Sequence, residues 1–135
     1  MNKRNIWKDI PDPLEIHKDH RGIIVDIFYN DKIDHVAIIK SKPHALRGDH
    51  YHKETTQIML ITKGSLEYWY KPRDSDEPAK YEILEEGDIV TTPPYEVHAL
   101  RILEKGNESI VFTKGKRGGK DYESDTFRME LSIIE

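Results

Sequence analysis

Arg47-Gly48-Asp49-His50-Tyr51-His52-Lys53-Glu54-Thr55-Thr56-Gln57 is the stretch on which the reading of this chain turns. On a β-strand alternate side chains share a face, so His50 and His52 project together. Two imidazoles on one face of a barrel strand bind a metal or supply an acid and a base. Gln57 opens the next apolar run, five positions beyond His52, and its side chain can turn into the same space. A His-x-His pair alone is more often a surface or hydrogen-bonded feature than a site, so the surroundings carry the decision.

The surroundings are all strand. No long segment repeats apolar residues at helical spacing, and short runs rich in Ile, Val, Tyr and Phe alternate with Gly, Pro, Asn and Asp. The pattern predicts strands at Ile23–Phe28, His35–Lys40, His50–His52, Gln57–Thr62, Ser65–Tyr70, Tyr81–Leu84, Asp88–Thr91, His98–Leu103 and Ser109–Thr113, with a last one at Glu130–Ile134. Lys63-Gly64 and Lys105-Gly106-Asn107 read as tight connections, and Asp74–Pro78 as a polar hairpin loop. Short strands at this density form an antiparallel barrel or sandwich.

Composition narrows the class further. The 135 residues suit one domain over positions 1–135, with 1–13 as an N-terminal arm, docked or frayed, and 114–135 as a C-terminal loop and last strand. No apolar run reaches the roughly 18 residues of a membrane span, and no secretory signal opens the chain, so no membrane partner is expected. The absence of cysteine removes disulfides, zinc ribbons and thiol nucleophiles, and fits a cytoplasmic protein. With 21 basic against 25 acidic residues there is no electrostatic case for nucleic acid. The basic stretch Lys114–Lys120 reads as a solvated loop rather than a phosphate-binding arm. Of seven histidines, His17, His20, His35 and His44 read as structural or surface residues, with His20 worth watching beside Arg21.

A second segment, Gly87-Asp88-Ile89-Val90-Thr91-Thr92-Pro93-Pro94-Tyr95-Glu96-Val97-His98, reads as strand, proline-stiffened turn and a strand opening on His98. Together the two segments resemble the paired motifs of the cupin superfamily. His50, His52, Gln57 and Gly64 fall in register with the first motif, and Gly87, Pro93 and His98 with the second. The resemblance implies an all-β cupin (jelly-roll, or double-stranded β-helix) barrel. Three departures stand out: Gln57 replaces the usual Glu, Tyr95 the second Gly, and Ile102 a frequent Asn.

His17-Lys18-Asp19-His20-Arg21-Gly22 looks like the Asp-x-Arg-Gly element of the nucleotide-sugar cupins. These include the dTDP-4-dehydrorhamnose 3,5-epimerases and the dTDP-4-keto-6-deoxyglucose 3,4-ketoisomerases. Arg47-Gly48-x-His50-x-His52-Lys53-x-x-x-Gln57 resembles the ketoisomerases in particular, including the Gln. Arg-Gly-x-His-Tyr-His and the tail at Tyr122–Phe127 also resemble the metal-containing cupin portion of capsular-polysaccharide epimerase–reductases.

The resemblance implies a nucleotide-sugar isomerase or epimerase, with His50 and His52 as acid–base pair and Arg21, Arg47 and Gln57 as substrate contacts; Tyr68 and Tyr70 are further candidates, as rings that could stack on a base or sugar. Such chemistry removes a proton beside a ketone, and neutral histidine is suited to take it. The diphosphate needs cationic contacts, for which Arg21 and Arg47 are the natural choices. Tyr68 and Tyr70 share one face of their strand, whereas Trp69 takes the other, as core. Tyr122 is a weaker candidate acid. No cofactor is required on this reading. A divalent metal (Zn, Ni, Mn or Fe) is the open alternative, with His50, His52, Gln57 and His98 as ligands and no carboxylate among them. The rivals are a metal-dependent cupin enzyme, epimerase-like or an oxygenase, and a non-catalytic sugar-binding cupin. A homodimer is expected from exposed sheet edges and from related cupins.

Overall fold

The computed structural model describes residues 1–115 and 124–135. Its strands are β1 (Asn2–Asn5), β2 (Ile16–Asp19), β3 (Gly22–Val25), β4 (His35–Ser41), β5 (Leu46–Tyr51), β6 (Thr56–Pro72), β7 (Lys80–Leu84), β8 (Asp88–Thr92), β9 (Glu96–Lys114) and β10 (Phe127–Arg128). The main sheet runs β1-β8-β6-β9-β5-β10, with β4 added to β9 and β7 to β6, while β2 and β3 form a separate hairpin. Every pairing is antiparallel. Among the described residues no helix is long and apolar enough to cross a membrane.

β6 and β9 are the spine, and each joins two strands that the sequence pattern separates. The sequence pattern puts breaks at Lys63-Gly64 and Lys105-Gly106-Asn107, yet Gly64 pairs with Asn107 and the two strands bend there side by side. Both Gly64 and Gly106 sit at φ +73°, and a Cβ on Gly64 would lie 2.0 Å from the Gly106 carbonyl oxygen. These glycines make a corner where paired strands change direction, rather than two hairpins. Ladder shifts flank the corner between Ile61 and Lys63 and between Gly64 and Leu66.

Both faces are covered along the central strands β6, β8 and β9, which explains their runs of unbroken apolar sequence, whereas Val36 and Ile38 leave one face of β4 exposed. Ile61, Leu66, Tyr68, Leu84, Val90 and Ile102 pack inside the barrel. Burying each such aliphatic side chain contributes about 1.5–3 kcal/mol. Ile6, Ile58, Leu60 and Ile89 form an outer cluster with Ile27 and Phe28 from the N-terminal part. Tyr51, Trp69, Val97, Ala99 and Ile133 form another, closed by Phe127 and Met129 from the C-terminal part. Trp69 thus takes the core role expected of it, stacked on Tyr81.

Both ends of the chain join the main sheet. The stretch read as an arm contributes β1, paired with β8 from Asn2–Thr91 to Asn5–Asp88. The last strand is Phe127–Arg128 rather than Glu130–Ile134, and Met129 N–H donates to the Asp49 carbonyl at 2.8 Å just past its end. Beyond it, the Asp49 carboxylate accepts from Ser132 Oγ and Ile133 N–H, both at 2.8 Å. Tyr122 and most of the basic stretch lie outside the described residues.

Candidate active site

Alternation along β5 delivers His50, and β9 delivers its direct cross-strand partner His98. His52 follows the end of β5 on the same face. The rings of His50 and His98 are 4.7 Å apart, those of His50 and His52 4.9 Å, and those of His52 and His98 5.4 Å. One nitrogen from each lies within 4.8 Å of the others.

Arg47 reaches this face through a bulge. Strict alternation from His50 would place Gly48 inward and Arg47 outward, but the ladder pairs Arg47 with Leu100, Gly48 with Ala99 and His50 with His98. Asp49 is the extra residue, at φ 57°. Skipping it brings Arg47 and His50 to one face although they are three apart in sequence. Gly48 is required at φ +88°, since a Cβ would meet the His98 carbonyl oxygen at 2.7 Å. The Arg47 guanidinium is steered by Nε donating to Ser41 Oγ at 2.7 Å.

Two of the imidazoles are fixed by backbone carbonyls. His52 Nδ1 donates to the Asp125 carbonyl at 2.7 Å, and His98 Nδ1 to the Glu96 carbonyl at 3.2 Å. A carbonyl only accepts, so in each ring Nδ1 carries a proton, and in the neutral tautomer this leaves Nε2 with the lone pair. His52 Nε2 is buried and has no hydrogen-bond partner among the described residues. Burial holds His98 down to a pKa of about 4, so it is neutral at pH 7.

His50 and His98 open on a cavity of about 280 Å³. Gln57, Tyr68 and Thr92 supply its other polar wall, while Ile39, Leu46, Met59, Leu100 and Val111 supply an apolar one. Arg47 and Arg128 are its two cations, and no carboxylate lines it among the described residues. In a chain of formal charge −4, that makes the cavity a local positive site. The Tyr68 hydroxyl meets Thr92 Oγ1 and Glu96 Oε1, and its ring lies parallel to His98 at 6.4 Å. Burial raises the Tyr68 phenol well above its ordinary range, so it keeps its proton.

Not every expected residue arrives. His52 stands behind His50 and His98 rather than on the cavity wall. Tyr70 is inside the same face of β6 but one step beyond Tyr68, where it lines a different cavity with Glu96. Arg21 is at the β2–β3 turn, its side chain 78% exposed and paired with Asp19 at 2.6 Å, away from the cavity. His17, His20 and His44 are exposed, in line with a surface reading.

Arg128, Thr92 and Asp125 escaped the sequence reading. Arg128 pairs with His50 across β5 and β10, so its place depends on a contact between positions 78 apart. Asp125 is 4% exposed, and its carboxylate accepts from the N–H groups of Lys53, Glu54 and Thr55 and from Thr55 Oγ1. These bonds hold its carboxyl below the ordinary range despite burial. No local pattern announces either residue.

Many solved structures share the fold, among them three from nucleotide-sugar and polysaccharide proteins. A dTDP-4-dehydrorhamnose 3,5-epimerase from Sulfolobus tokodaii is 18% identical, with a TM-score of 0.70 over 91% of this chain and 85% of that one. The sugar 3,4-ketoisomerase QdtA from Thermoanaerobacterium thermosaccharolyticum, solved with TDP, is 20% identical, with a TM-score of 0.68 over 87% and 85%. The capsular polysaccharide assembling protein CapF from Staphylococcus aureus is 20% identical, with a TM-score of 0.65 over 93% of this chain and 35% of that one. No curated protein matches the sequence. The all-β cupin barrel expected from the two histidine motifs is the fold observed. Residues 17–124 match the polysaccharide biosynthesis C-terminal domain, and the chain belongs to that family.

Proposed function

We propose that this protein is a sugar-nucleotide isomerase or epimerase acting on a 4-keto-6-deoxy nucleotide sugar. The observation that carries the reading is the cavity itself: an imidazole, His50, flanked by two guanidinium groups, with an apolar wall opposite and no acid among the described residues that line it. The fold it shares with an epimerase and a ketoisomerase supports the class. At about 280 Å³ the cavity is just below the ~300–1,000 Å³ typical of whole drug-sized ligands, so it takes the reacting sugar while the nucleotide lies along the rim.

In this reading His50 removes the proton beside the ketone, giving an enediolate, and the proton returns at the neighbouring atom. His98 is too weak a base at a pKa of about 4 to share that role and serves as a neutral wall. Arg47 and Arg128 hold the diphosphate or the developing oxyanion, with the Gln57 amide as a further donor. The apolar wall accepts the 6-deoxy methyl group. His52 backs His50 and completes the imidazole cluster.

Incubation with dTDP-4-keto-6-deoxyglucose in D₂O, followed by NMR, should show deuterium entering the carbon beside the ketone. His50→Ala should slow that exchange by about 10²–10⁴-fold. Absence of exchange with every 4-keto nucleotide sugar tried between pH 6 and 9 would end the proposal.

A metal-dependent reading is favoured by one observation, the buried His52 Nε2 that finds no partner among the described residues. Three imidazoles, two of them oriented by backbone carbonyls, suit a borderline divalent ion such as Zn, Ni, Mn or Fe, with His50, His52 and His98 as ligands and Gln57 through its amide oxygen. A bound ion would supply Lewis-acid stabilisation of negative charge on oxygen. Stoichiometric metal in protein purified without added metal, lost in His52→Ala, is the expected result on this reading. Its absence leaves the imidazoles to act alone.

A further inference from the structure

Glu96 opens β9 on the far side of Tyr68 from the catalytic cavity, and its carboxylate lines a separate cavity of about 290 Å³. There it is paired with the Met1 ammonium group. A hydrogen-bonded row links it to the catalytic cavity: Glu96 Oε1, the Tyr68 hydroxyl and Thr92 Oγ1. Thr92 lies directly opposite Gln57 across β6 and β8, and both line the catalytic cavity.

The direction of the protons in this row follows from counting donors. A carboxylate only accepts, and a phenol has one hydrogen. Tyr68 donates to Glu96 at 3.2 Å, which uses that hydrogen. The contact between Tyr68 and Thr92 then requires Thr92 to donate to the phenol oxygen. The opposite order would leave a phenol oxygen facing a carboxylate with no proton between them, inside a buried wall where that repulsion is costly. Thr92 therefore has its hydrogen turned away from the cavity and only lone pairs left to offer.

We propose that Glu96, without touching ligand, fixes the polarity of this wall, so that Thr92 accepts a hydrogen bond from a ligand hydroxyl and repels an oxygen or fluorine that can only accept. Glu96 and Tyr68 are positioning residues, and Thr92 is the specificity contact. A ketone oxygen is then excluded from this side and directed to the donors Arg47, Arg128 and Gln57. The identity of the ligand rests on the nucleotide-sugar reading; the proton order does not.

Two measurements test this. The first needs no ligand: isotope-edited infrared of protein with ring-¹³C tyrosine, taking the Tyr68 C–O band from the difference against Tyr68→Phe. Glu96→Leu should move the band clearly and Thr92→Val little, because Tyr68 keeps its charged acceptor in the second variant. The reverse pattern overturns the proposal. The second compares dTDP-6-deoxyglucose with its 2-, 3- and 4-deoxyfluoro counterparts. One fluorinated isomer should bind about 10-fold or more weaker to the wild type, the cost of an unmet acceptor pair. Glu96→Leu and Tyr68→Phe each release the Thr92 hydrogen toward the cavity, so both should erase or invert that ratio, and Thr92→Val should bring it near one. Ratios unchanged in both variants overturn the proposal even with the expected infrared pattern. Failure of every variant to bind any of these sugars overturns the nucleotide-sugar reading instead, and the infrared pattern still decides the proton order.

Discussion

At the scale of single residues, several side chains hold backbone or protonation states that the fold imposes on them. Tyr95 occupies a left-handed conformation, φ 65°, at the place where the related motif has glycine. Its N–H donates to the His52 carbonyl at 2.7 Å and its carbonyl accepts from Arg73 N–H at 3.0 Å, so the turn is held despite the side chain. Tyr95→Gly should therefore be tolerated, within about 1 kcal/mol in a denaturant melt, because relief of strain offsets the lost ring contact with Tyr51. Gly48 is the opposite case: Gly48→Ala combines an unfavourable φ with a 2.7 Å clash and should cost about 1–3 kcal/mol. His98 carries a pH prediction. Its folded pKa of about 4 is below its ordinary 6.5, so between those values the unfolded chain binds a proton that the fold does not. The stabilisation is complete above about pH 6.5 and is lost as pH falls toward 4. With chelator present, denaturant midpoints at pH 7 and 4.5 should differ by roughly 2 kcal/mol more for the wild type than for His98→Asn.

At the scale of elements, the C-terminal segment assembles the site rather than trailing from it. Asp125 ties the turn after β5 through four accepted bonds and orients His52 through its carbonyl. Arg128 stands beside His50, and Ser132 and Ile133 clamp the carboxylate of Asp49, the bulge residue that aligns Arg47 with His50. Asp125→Ala should destabilise the protein by about 2–4 kcal/mol, since three buried or part-buried N–H groups and a hydroxyl lose one acceptor together. Asp125→Asn keeps an acceptor of the same shape and should lose about half of that, as read from thermal or urea unfolding.

At the scale of the whole molecule, charge is distributed against the average. The chain is net acidic, yet the cavity beside His50 holds two arginines and no carboxylate among the described residues. Binding of dTDP, followed by calorimetry, should weaken as salt is raised and should fall by about 10-fold in Arg128→Ala, whereas Arg21→Ala should change it little. An equal loss in the Arg21 variant would restore the hairpin arginine to the site.

The sequence by itself determined the strand-rich class, the opposite faces taken by Tyr68 and Trp69 and the identity of the clustered imidazoles, because alternation and residue type are local properties. His50, His52 and His98 needed only a period of two and a second motif to be placed together. What only the tertiary structure decided depends on contacts between distant positions. The Asp49 bulge turned Arg47 inward against simple alternation, the Gly64 and Gly106 corner turned two expected hairpins into continuous strands, and the exposed hairpin took Arg21 out of the cavity. Arg128 and Asp125 became legible only once the chain returned to β5, since nothing within their own neighbourhood records the partner they meet. Local chemistry chose the imidazoles; the closing of the barrel chose their company, because hydrogen-bond satisfaction and charge balance are settled by neighbours in space.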